Sequence, residues 1–279
     1  MLDPFKITGP AVVSFSGGST SGYMLYRTIQ AHGGSLPADV LVVFCNTGRE
    51  LPETLDFVER CSCEWGVPIV WLEYRHAGPR KPTFAVVDYA TADRTGATFE
   101  TAIAAPRGDS GFLPNVMVRY CTIEMKIKTL VRYLRSLGWK HWTNAIGFRA
   151  DEPQRVAKAR TGANREKRED AVFPLHAEGI DRLAVDAFWK SQPFQLELER
   201  DEGNCDFCFL KGQNKIVRLM RKRPERAGWW IEKEARHGTR FRNDRPSYLA
   251  LFNRSQEPQI PGMEDDGPDE LSIACHCTD

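Results

Sequence analysis

The segment that most constrains this chain is residues 11–21, which read Ala-Val-Val-Ser-Phe-Ser-Gly-Gly-Ser-Thr-Ser. This order predicts a short buried strand, a turn of small residues, and a helix that begins near Thr20 and ends at Gly33 and Gly34. Backbone N–H groups of such a turn, with the positive end of the helix, form a site suited to phosphate. No lysine follows the glycines, so this is not the nucleotide loop that ends in Gly-Lys-Ser/Thr. An ordinary strand-to-helix turn is the alternative interpretation.

The neighbouring segments alternate between apolar strands and helical periods. Strands are predicted over residues 40–44, 68–74 and 141–146, and helices over 52–65 and 122–137. This alternation is typical of an α/β protein with a parallel sheet and right-handed crossovers. Ligands of such sheets bind beyond the carboxyl ends of the strands, which is where the glycine turn falls.

Three segments are predicted along the chain. Residues 1–150 are expected to form a nucleotide-binding α/β domain, residues 151–254 a helical region that shares its core, and residues 255–279 an acidic, loosely held tail. Residues 76–119 lack periodicity, which indicates an insertion or a substrate loop. Helices are expected in the second segment over residues 181–190, 213–222 and 224–236.

Three motifs resemble those of one superfamily. Residues 16–21 (S-G-G-x-x-S) resemble the pyrophosphate loop of N-type ATP pyrophosphatases, and residues 44–58 resemble the T-G-x-x-x-P-E-T-x-x-F stretch of phosphoadenosine-phosphosulfate reductases. Residues 147–155 are similar to the G-x-R-x-x-[EQ]-x-x-R segment that those reductases share with ATP-using relatives. The chain is therefore identified, over about residues 11–212, as a member of the reductase-like branch of the adenine-nucleotide α-hydrolase superfamily. The resemblance implies a Rossmann-like (HUP-type) parallel sheet flanked by helices, with a mainly helical C-terminal region that binds a cluster.

The paired glycines, Gly17 and Gly18, indicate which members of the superfamily this loop resembles most. Dedicated sulfonucleotide reductases lack them, so the loop is more similar to that of ATP sulfurylase small subunits, tRNA thiolation enzymes and DNA phosphorothioation proteins. Many of those have Lys-Asp where this chain has Ser19-Thr20. The resemblance implies ATP or another adenine nucleotide, with Mg²⁺, as ligands. The residues expected to bind the nucleotide are Ser14, Ser16, Gly17, Gly18, Ser19, Thr20, Ser21, Asn46, Thr47, Gly48 and Gly147.

Four charged residues follow the predicted strand at 141–146 and are the expected catalytic group. They are Arg149, Asp151, Glu152 and Arg155. Arginine pairs bidentately with phosphate or sulfate oxygens, and carboxylates are suitable ligands for Mg²⁺. A surface network of ion pairs is the alternative.

Three cysteines are candidate metal ligands. Cys205 and Cys208 form a C-x-x-C pair that suits one metal or cluster, structural zinc, or a redox dithiol. Together with Cys121 they resemble the cluster-binding pattern of adenylylsulfate reductases, although Tyr120 replaces a further cysteine of that pattern. The resemblance implies a [4Fe–4S] cluster on Cys121, Cys205 and Cys208, with Zn²⁺ as the alternative and Lys126 and Lys128 as balancing cations. This pattern implies three thiolate ligands and one iron left free to bind a substrate. The alternatives are a fourth thiolate from Cys61, Cys63, Cys275 or Cys277, or cysteines that bind no metal.

The C-terminal Cys275-His276-Cys277 has a separate interpretation. Sulfonucleotide reductases carry a nucleophilic cysteine on a C-terminal tail, so Cys275 and Cys277 are catalytic candidates by resemblance. The surrounding motif of those enzymes is not reproduced here. A frayed tail without a function is the alternative.

A basic stretch from Lys211 to Arg226, followed by Trp229 and Trp230, is the candidate surface for tRNA or DNA. Lysine and arginine side chains pair with the phosphates of a nucleic-acid backbone, and neighbouring aromatic rings stack on its bases. A solvated helix face is the alternative. A sulfur or electron donor protein and a second copy of the chain are further expected partners.

Composition limits the remaining classes. The chain of 279 residues is 42% hydrophobic and 27% charged with a net charge of +1, so no global field favours nucleic acid. It has no apolar run of the roughly 20 residues that span a bilayer and no secretion signal, which predicts a cytoplasmic protein without a membrane partner. Eight cysteines in a reducing compartment favour metal binding or catalysis over disulfides.

The sequence therefore favours an adenine-nucleotide-binding iron–sulfur enzyme of sulfur chemistry. The leading hypothesis is ATP-dependent adenylation and sulfur transfer to a nucleic-acid or small-molecule acceptor. The second is a thiol-dependent reductase of adenylylsulfate or its 3′-phosphate that releases sulfite. The third is a non-catalytic protein that binds nucleotide or nucleic acid.

Overall fold

The structure is a computed structural model. It describes residues 3–78, 81–105, 112–161, 166–199 and 202–258. Cys275, His276, Cys277 and most of the predicted acidic tail lie outside the described residues.

One mixed sheet organises the described residues. Its strands are β1 (Ala11–Ser14), β2 (Val40–Asn46), β3 (Ile69–His76), β4 (Pro82–Val87), β5 (Trp142–Ile146) and β6 (Glu169–Val172). Their order across the sheet is β4-β3-β2-β1-β5-β6, and every neighbouring pair except β3–β4 is parallel. The predicted α/β class is thereby confirmed.

Two strands were not predicted. β4 comes from the segment expected to be irregular, and it pairs antiparallel with β3 because so short a connection cannot make a parallel crossover. β6 lies beyond residue 150 and pairs with β5, so the second predicted segment contributes a strand to the sheet of the first.

Helices flank the sheet and form the C-terminal region. They are α1 (Ser19–Ala31), α2 (Pro52–Trp65), α3 (Ala97–Ala104), α4 (Tyr120–Thr122), α5 (Thr129–Ser136), α6 (Pro153–Thr161), α7 (Pro174–Ala177), α8 (Arg182–Ser191), α9 (Gln213–Lys222), α10 (Ala227–His237) and α11 (Tyr248–Gln256). A π-helical stretch, Ile123–Lys128, joins α4 to α5 in one continuous helical run. The sequence predicted α1, α2, the run from α4 to α5, α8, α9 and α10, but not α3, α6, α7 or α11. No helix among the described residues has the length and apolar character that crossing a membrane requires.

Both faces of the sheet are covered, as its continuous apolar strands require. On one face, Val13 and Phe44 pack with residues of α1, α2 and α8, including Trp189. On the other face, Val12 and Val43 pack with α5. β1 is central and almost fully buried on both sides.

A second large apolar cluster fixes the C-terminal helices beside the sheet. Phe209, Trp230, Phe241 and Tyr248 form its centre, and the Trp230 and Tyr248 rings stack with centroids 5.1 Å apart. This cluster also takes in Tyr74 of β3 and residues of α3. The segment that carries Cys205 and Cys208 is thereby held against the α/β unit.

The strand order creates a switch point at β1. The chain that leaves β1 crosses to β2 on one side, and the chain that leaves β5 crosses to β6 on the other side. These two connections therefore leave in opposite directions. A crevice opens at the carboxyl ends of two strands related in this way, and it is the usual ligand position in such sheets. The loop at residues 15–18 and the segment after β5 border this crevice.

Candidate functional site

The loop after β1 is a tight turn shaped by its own hydroxyls. Gly17 has φ +81°, and Gly18 is the residue that caps α1. The Ser16 N–H donates to Ser21 Oγ at 3.2 Å, and the Ser21 hydroxyl donates to the Gly18 carbonyl at 3.0 Å. The predicted strand, glycine turn and helix are therefore all present, and the turn leads directly into the N-terminus of a 13-residue helix.

The end of β5 lies close to the same loop. The Ser14 hydroxyl donates to Asn144 Oδ1 at 2.7 Å. A β-carbon on Gly147 would lie 3.2 Å from the Ser21 Cα, so the glycine permits close packing of the chain on α1. Ser14, Ser21 and Gly147 from the predicted nucleotide-binding set are thus brought together.

Arg149 reaches across the switch point to α1. Its Nη1 donates to the Thr20 hydroxyl at 3.1 Å, while Nε donates to Asp151 Oδ1 at 3.0 Å. Glu152 accepts a hydrogen bond from the Arg149 backbone N–H at 3.1 Å and also pairs with Arg155, whose guanidinium lies over the Phe148 ring. The four predicted catalytic residues therefore form one cluster at the N-terminus of α1.

This cluster is electrostatically balanced within itself. Two guanidinium groups face two carboxylates, and Arg149 is only 8% exposed. Asp151 and Glu152 are both paired with arginines, and Mg²⁺ binding by these carboxylates stays a prediction. Asp151 is the more exposed of the two carboxylates.

The turn after β2 is held by buried polar contacts. Asn46 donates to Glu73 Oε1 at 2.6 Å and accepts from the Gly48 N–H at 3.1 Å. Thr47 donates through both its N–H and its hydroxyl to Glu50 Oε2, each at 2.8 Å. These hydrogen bonds fix the conformation of the turn, which lies at the carboxyl edge of the sheet.

Asp93 packs directly on that turn. Gly48 has φ +82°, and a β-carbon there would lie 2.2 Å from Asp93 Oδ2. Burial favours the neutral form of Asp93, but hydrogen bonds from Thr98 and Thr95 outweigh it and lower the pKa of the carboxyl. The carboxylate beside the turn is therefore ionised at neutral pH.

Glu50 connects the turn to the cysteine-containing segments. Its buried carboxylate pairs with Lys126 Nζ at 3.3 Å and accepts a long hydrogen bond from Cys205 Sγ at 3.9 Å. Lys126, the predicted balancing cation, therefore has a carboxylate partner that also contacts Cys205. Glu50 and Cys205 also form an isolated antiparallel bridge through their backbones.

Asn204 joins the cysteine segment to the glycine loop. Its side chain donates to the Ser16 carbonyl at 2.8 Å, and its own carbonyl accepts from Leu51 N at 2.8 Å and Thr54 Oγ1 at 3.3 Å. One fully buried residue therefore spans the loops after β1 and β2. Sequence reasoning missed Asn204, and its position next to Cys205 was the only signal.

Asp206 is the centre of a buried ionic cluster that was also missed. It is 1% exposed, pairs with Arg49 and with Arg226 Nε at 3.1 Å, and accepts from Trp230 Nε1 at 2.9 Å. Arg49 also lies over the Trp229 ring at 4.9 Å. Through Asp206, which lies between Cys205 and Cys208 in the sequence, this cluster connects the turn after β2 to α10.

The three predicted metal ligands surround one apolar cluster. Cys208 belongs to the C-terminal apolar cluster, and Cys121 and Cys205 pack against it. Within the described ranges, however, no three Cys, His, Asp or Glu side chains are grouped as metal ligands. All three thiols therefore border the same apolar cluster, and metal binding by them stays a prediction. Cys61 points into the core beside α1, so it is not a nearby fourth ligand.

The basic stretch is extensively paired with carboxylates. Arg226 binds Asp206, and Arg223 pairs with Glu53 at 2.7 Å. Lys222 pairs with Glu199 at 2.8 Å, and the side chain of Lys211 is buried. Trp230 is buried, and Trp229 donates to Glu100 at 3.0 Å. Several cations of this stretch are therefore engaged in contacts within the protein, and nucleic-acid binding stays a prediction.

The fold and the loop together define a mostly parallel α/β protein with a glycine loop at its switch point. Comparison with known proteins agrees with this class. The phosphoadenosine phosphosulfate reductase domain matches residues 10–178, which include the glycine loop and the Arg149 cluster. The chain belongs to this family. Membership supports nucleotide-related sulfur chemistry.

Three known proteins are similar to the chain over different shares of its length. An uncharacterized nin region protein, ORF290 of Escherichia phage lambda, is 30% identical over 210 residues, which cover 74% of this chain and 67% of that protein. An uncharacterized protein of Methanocaldococcus jannaschii is 42% identical over 67 residues, or 24% of this chain and 13% of that protein. A solved phosphoadenylyl-sulfate reductase from Candida auris, in complex with phosphate, is similar with a TM-score of 0.40 and 16% identity, over 68% of this chain and 79% of that chain.

Proposed function

We propose that this protein binds an adenine nucleotide at the switch point and uses it in ATP-dependent sulfur transfer. The observation that carries the proposal is the meeting of the glycine loop, the N-terminus of α1 and Arg149 at the carboxyl edge of β1 and β5. Backbone N–H groups at a helix N-terminus and a guanidinium are both suited to phosphate.

The proposed reaction has two steps. A nucleophilic atom of the acceptor attacks the α-phosphorus of ATP, the bond to the bridging oxygen breaks, and pyrophosphate leaves. A sulfur nucleophile then displaces AMP from the adenylated acceptor. The glycine loop holds the departing phosphates, and Arg149 and Arg155 offset the negative charge that develops on them. Asn204 keeps the cysteine segment next to this loop.

A reductase of adenylylsulfate or its 3′-phosphate is the second candidate. It is favoured by the family match over residues 10–178. In that reaction a thiolate attacks the substrate sulfur, the bond from that sulfur to the phosphate oxygen breaks, and AMP or its 3′-phosphate leaves. A second thiol then attacks the thiol sulfur of the resulting S-sulfonate, so that a disulfide forms and sulfite is released. Among the described cysteines, Cys205 directly follows Asn204, whose side chain donates to the Ser16 carbonyl of the glycine loop. The tail candidates Cys275 and Cys277 lie outside the described residues.

One anaerobic experiment separates these reactions. The full chain is incubated with ATP, sulfide and either tRNA or DNA, and in parallel with adenylylsulfate or its 3′-phosphate and a dithiol. Formation of AMP and pyrophosphate supports adenylation, whereas sulfite supports the reductase. Tight nucleotide binding without any product would instead support a non-catalytic binder. If none of the tested nucleotides binds, the proposal is overturned.

Arg149→Met is the informative variant in that assay. Removing a cation that faces developing charge is expected to lower the rate by about a hundredfold or more. Arg168→Met is the matched control, because Arg168 is exposed and pairs only locally with Glu166 at 3.0 Å. Equal rates for the two variants would contradict the role assigned to Arg149.

The iron–sulfur cluster is proposed separately, and no step above depends on it. If the thiols of Cys121, Cys205 and Cys208 converge on metal, anaerobically purified protein should contain iron and sulfide, and Cys205→Ala should lose both together with the brown absorbance. Zinc without iron would favour the alternative metal. Cys63→Ala, a change of an exposed cysteine on α2, should retain the metal. Metal-free wild-type protein, or an unchanged spectrum of Cys205→Ala, would refute the assignment.

A further inference from the structure

The glycine loop contains no cation of its own. Residues 14–21 carry only Ser, Phe, Gly and Thr side chains, so any cation at this loop must come from another part of the fold. Among the described contacts of α1's first turn, the guanidinium that reaches it is Arg149, which is 129 residues away along the chain. Its position relative to the loop therefore depends on tertiary contacts.

Thr20 is the residue of α1 that receives this guanidinium. It is fully buried, and its hydroxyl accepts from Arg149 Nη1 at 3.1 Å. On the opposite side, Asp151 Oδ1 accepts from Nε at 3.0 Å and Glu152 lies 3.5 Å from Nη2. The carboxylates attract the guanidinium toward the β5–α6 segment, whereas the hydroxyl holds it on the helix.

We propose that Thr20 is a positioning residue that holds Arg149 over the N-terminus of α1, so that the site takes a phosphate- or sulfate-bearing nucleotide without a cation in the loop. The inference rests on the proposed function, since it concerns the same nucleotide. Without the hydroxyl, Arg149 keeps its two carboxylate partners and turns toward them. An incoming anion then loses the charge-assisted hydrogen bonds that this guanidinium supplies.

The test measures the affinity of the full chain for ATP and for adenylylsulfate by calorimetry. Thr20→Val keeps the shape of the side chain but removes the acceptor, and it is expected to weaken binding by about tenfold. Thr20→Ser keeps the hydroxyl and is expected to restore affinity to within about twofold of the wild type. Thr20→Ala serves in place of Thr20→Val if the valine variant does not fold.

Thr28→Val is the matched control. Thr28 is also fully buried on α1, but its hydroxyl donates only to the Met24 carbonyl of the same helix, at 2.9 Å. This variant is expected to bind nucleotide as the wild type does. A general loss of helix packing would weaken binding in both valine variants and would contradict a specific role for Thr20.

A double variant separates positioning of Arg149 from a direct effect of Thr20. In an Arg149→Met background, Thr20→Val is expected to cause no further loss of affinity, because no guanidinium remains to be held. An equal loss in both backgrounds, or unchanged affinity of Thr20→Val, would overturn the inference while leaving nucleotide binding intact. Failure of the wild type to bind either nucleotide would overturn the proposed function, and this inference with it.

Discussion

Gly17→Ala is expected to abolish nucleotide binding and to lower the free energy of unfolding by about 2–4 kcal/mol. Gly17 has φ +81°, where a side chain is strained, and an added β-carbon would lie 2.7 Å from Thr54 Cγ2 and 3.1 Å from Phe44 Cε2. Neither neighbour is a loose surface group, because both are buried. The loop would have to move away from α2, and its backbone N–H groups would no longer converge.

Gly33→Ala is the matched control for this change. Gly33 has a similar φ of +76°, but nothing lies within 4 Å of the added β-carbon. It should therefore show the backbone strain alone, about 1–2 kcal/mol, and retain nucleotide affinity. Chemical denaturation gives the free energies of unfolding, and calorimetry on folded protein gives the affinities. Equal effects of the two variants would show that close packing of Gly17 on α2 is unimportant.

Asp206→Asn is expected to lower the free energy of unfolding by about 3–5 kcal/mol. The carboxylate is 1% exposed and balances Arg49 and Arg226, so its removal leaves buried positive charge without compensation. The backbone contact from Asp206 N to the Arg49 carbonyl at 3.1 Å, which fixes the cysteine segment on the turn after β2, should weaken as well.

Two measurements check this second prediction. Denaturation should give a large loss for Asp206→Asn but less than about 1 kcal/mol for Asp186→Asn, which removes a surface i,i+4 pair with Arg182. Alkylation of Cys205 and Cys208, followed by mass spectrometry, should be faster in Asp206→Asn than in the wild type. A loss below about 1 kcal/mol would mean that water or other groups already compensate the two arginines.

The local elements of the α/β unit could be predicted from the sequence because their signals are local. Buried strands such as Val40–Asn46 are continuous apolar runs, and Gly66 marks the end of α2 with φ +59°. β4 was missed because it is an edge strand with mixed exposure, and its pairing depends on β3. β6 was missed for a related reason, since only its pairing with β5 distinguishes its four residues from a loop.

The candidate site likewise contains residues that motifs identified and residues whose role appears only in the tertiary structure. The glycine loop and Arg149 were identified from motifs, but their contact through Thr20 joins residues 129 positions apart and has no signal in the sequence. Asn204 and Asp206 resemble ordinary loop residues in the sequence. Burial gives them their role, because a buried amide or carboxylate must find partners. Asn204 finds the Ser16 carbonyl in the loop after β1, and Asp206 finds Arg49 in the turn after β2.

The sequence by itself determined the α/β class, the strand–glycine–helix loop and membership of the reductase family, because each depends on residues that are close along the chain. Only the tertiary structure decided which cation faces that loop and how the cysteine segment is attached to it. The physical reason is that electrostatic and hydrogen-bond partners are selected by distance in space, and the strand order brings β1 and β5 together across more than a hundred residues.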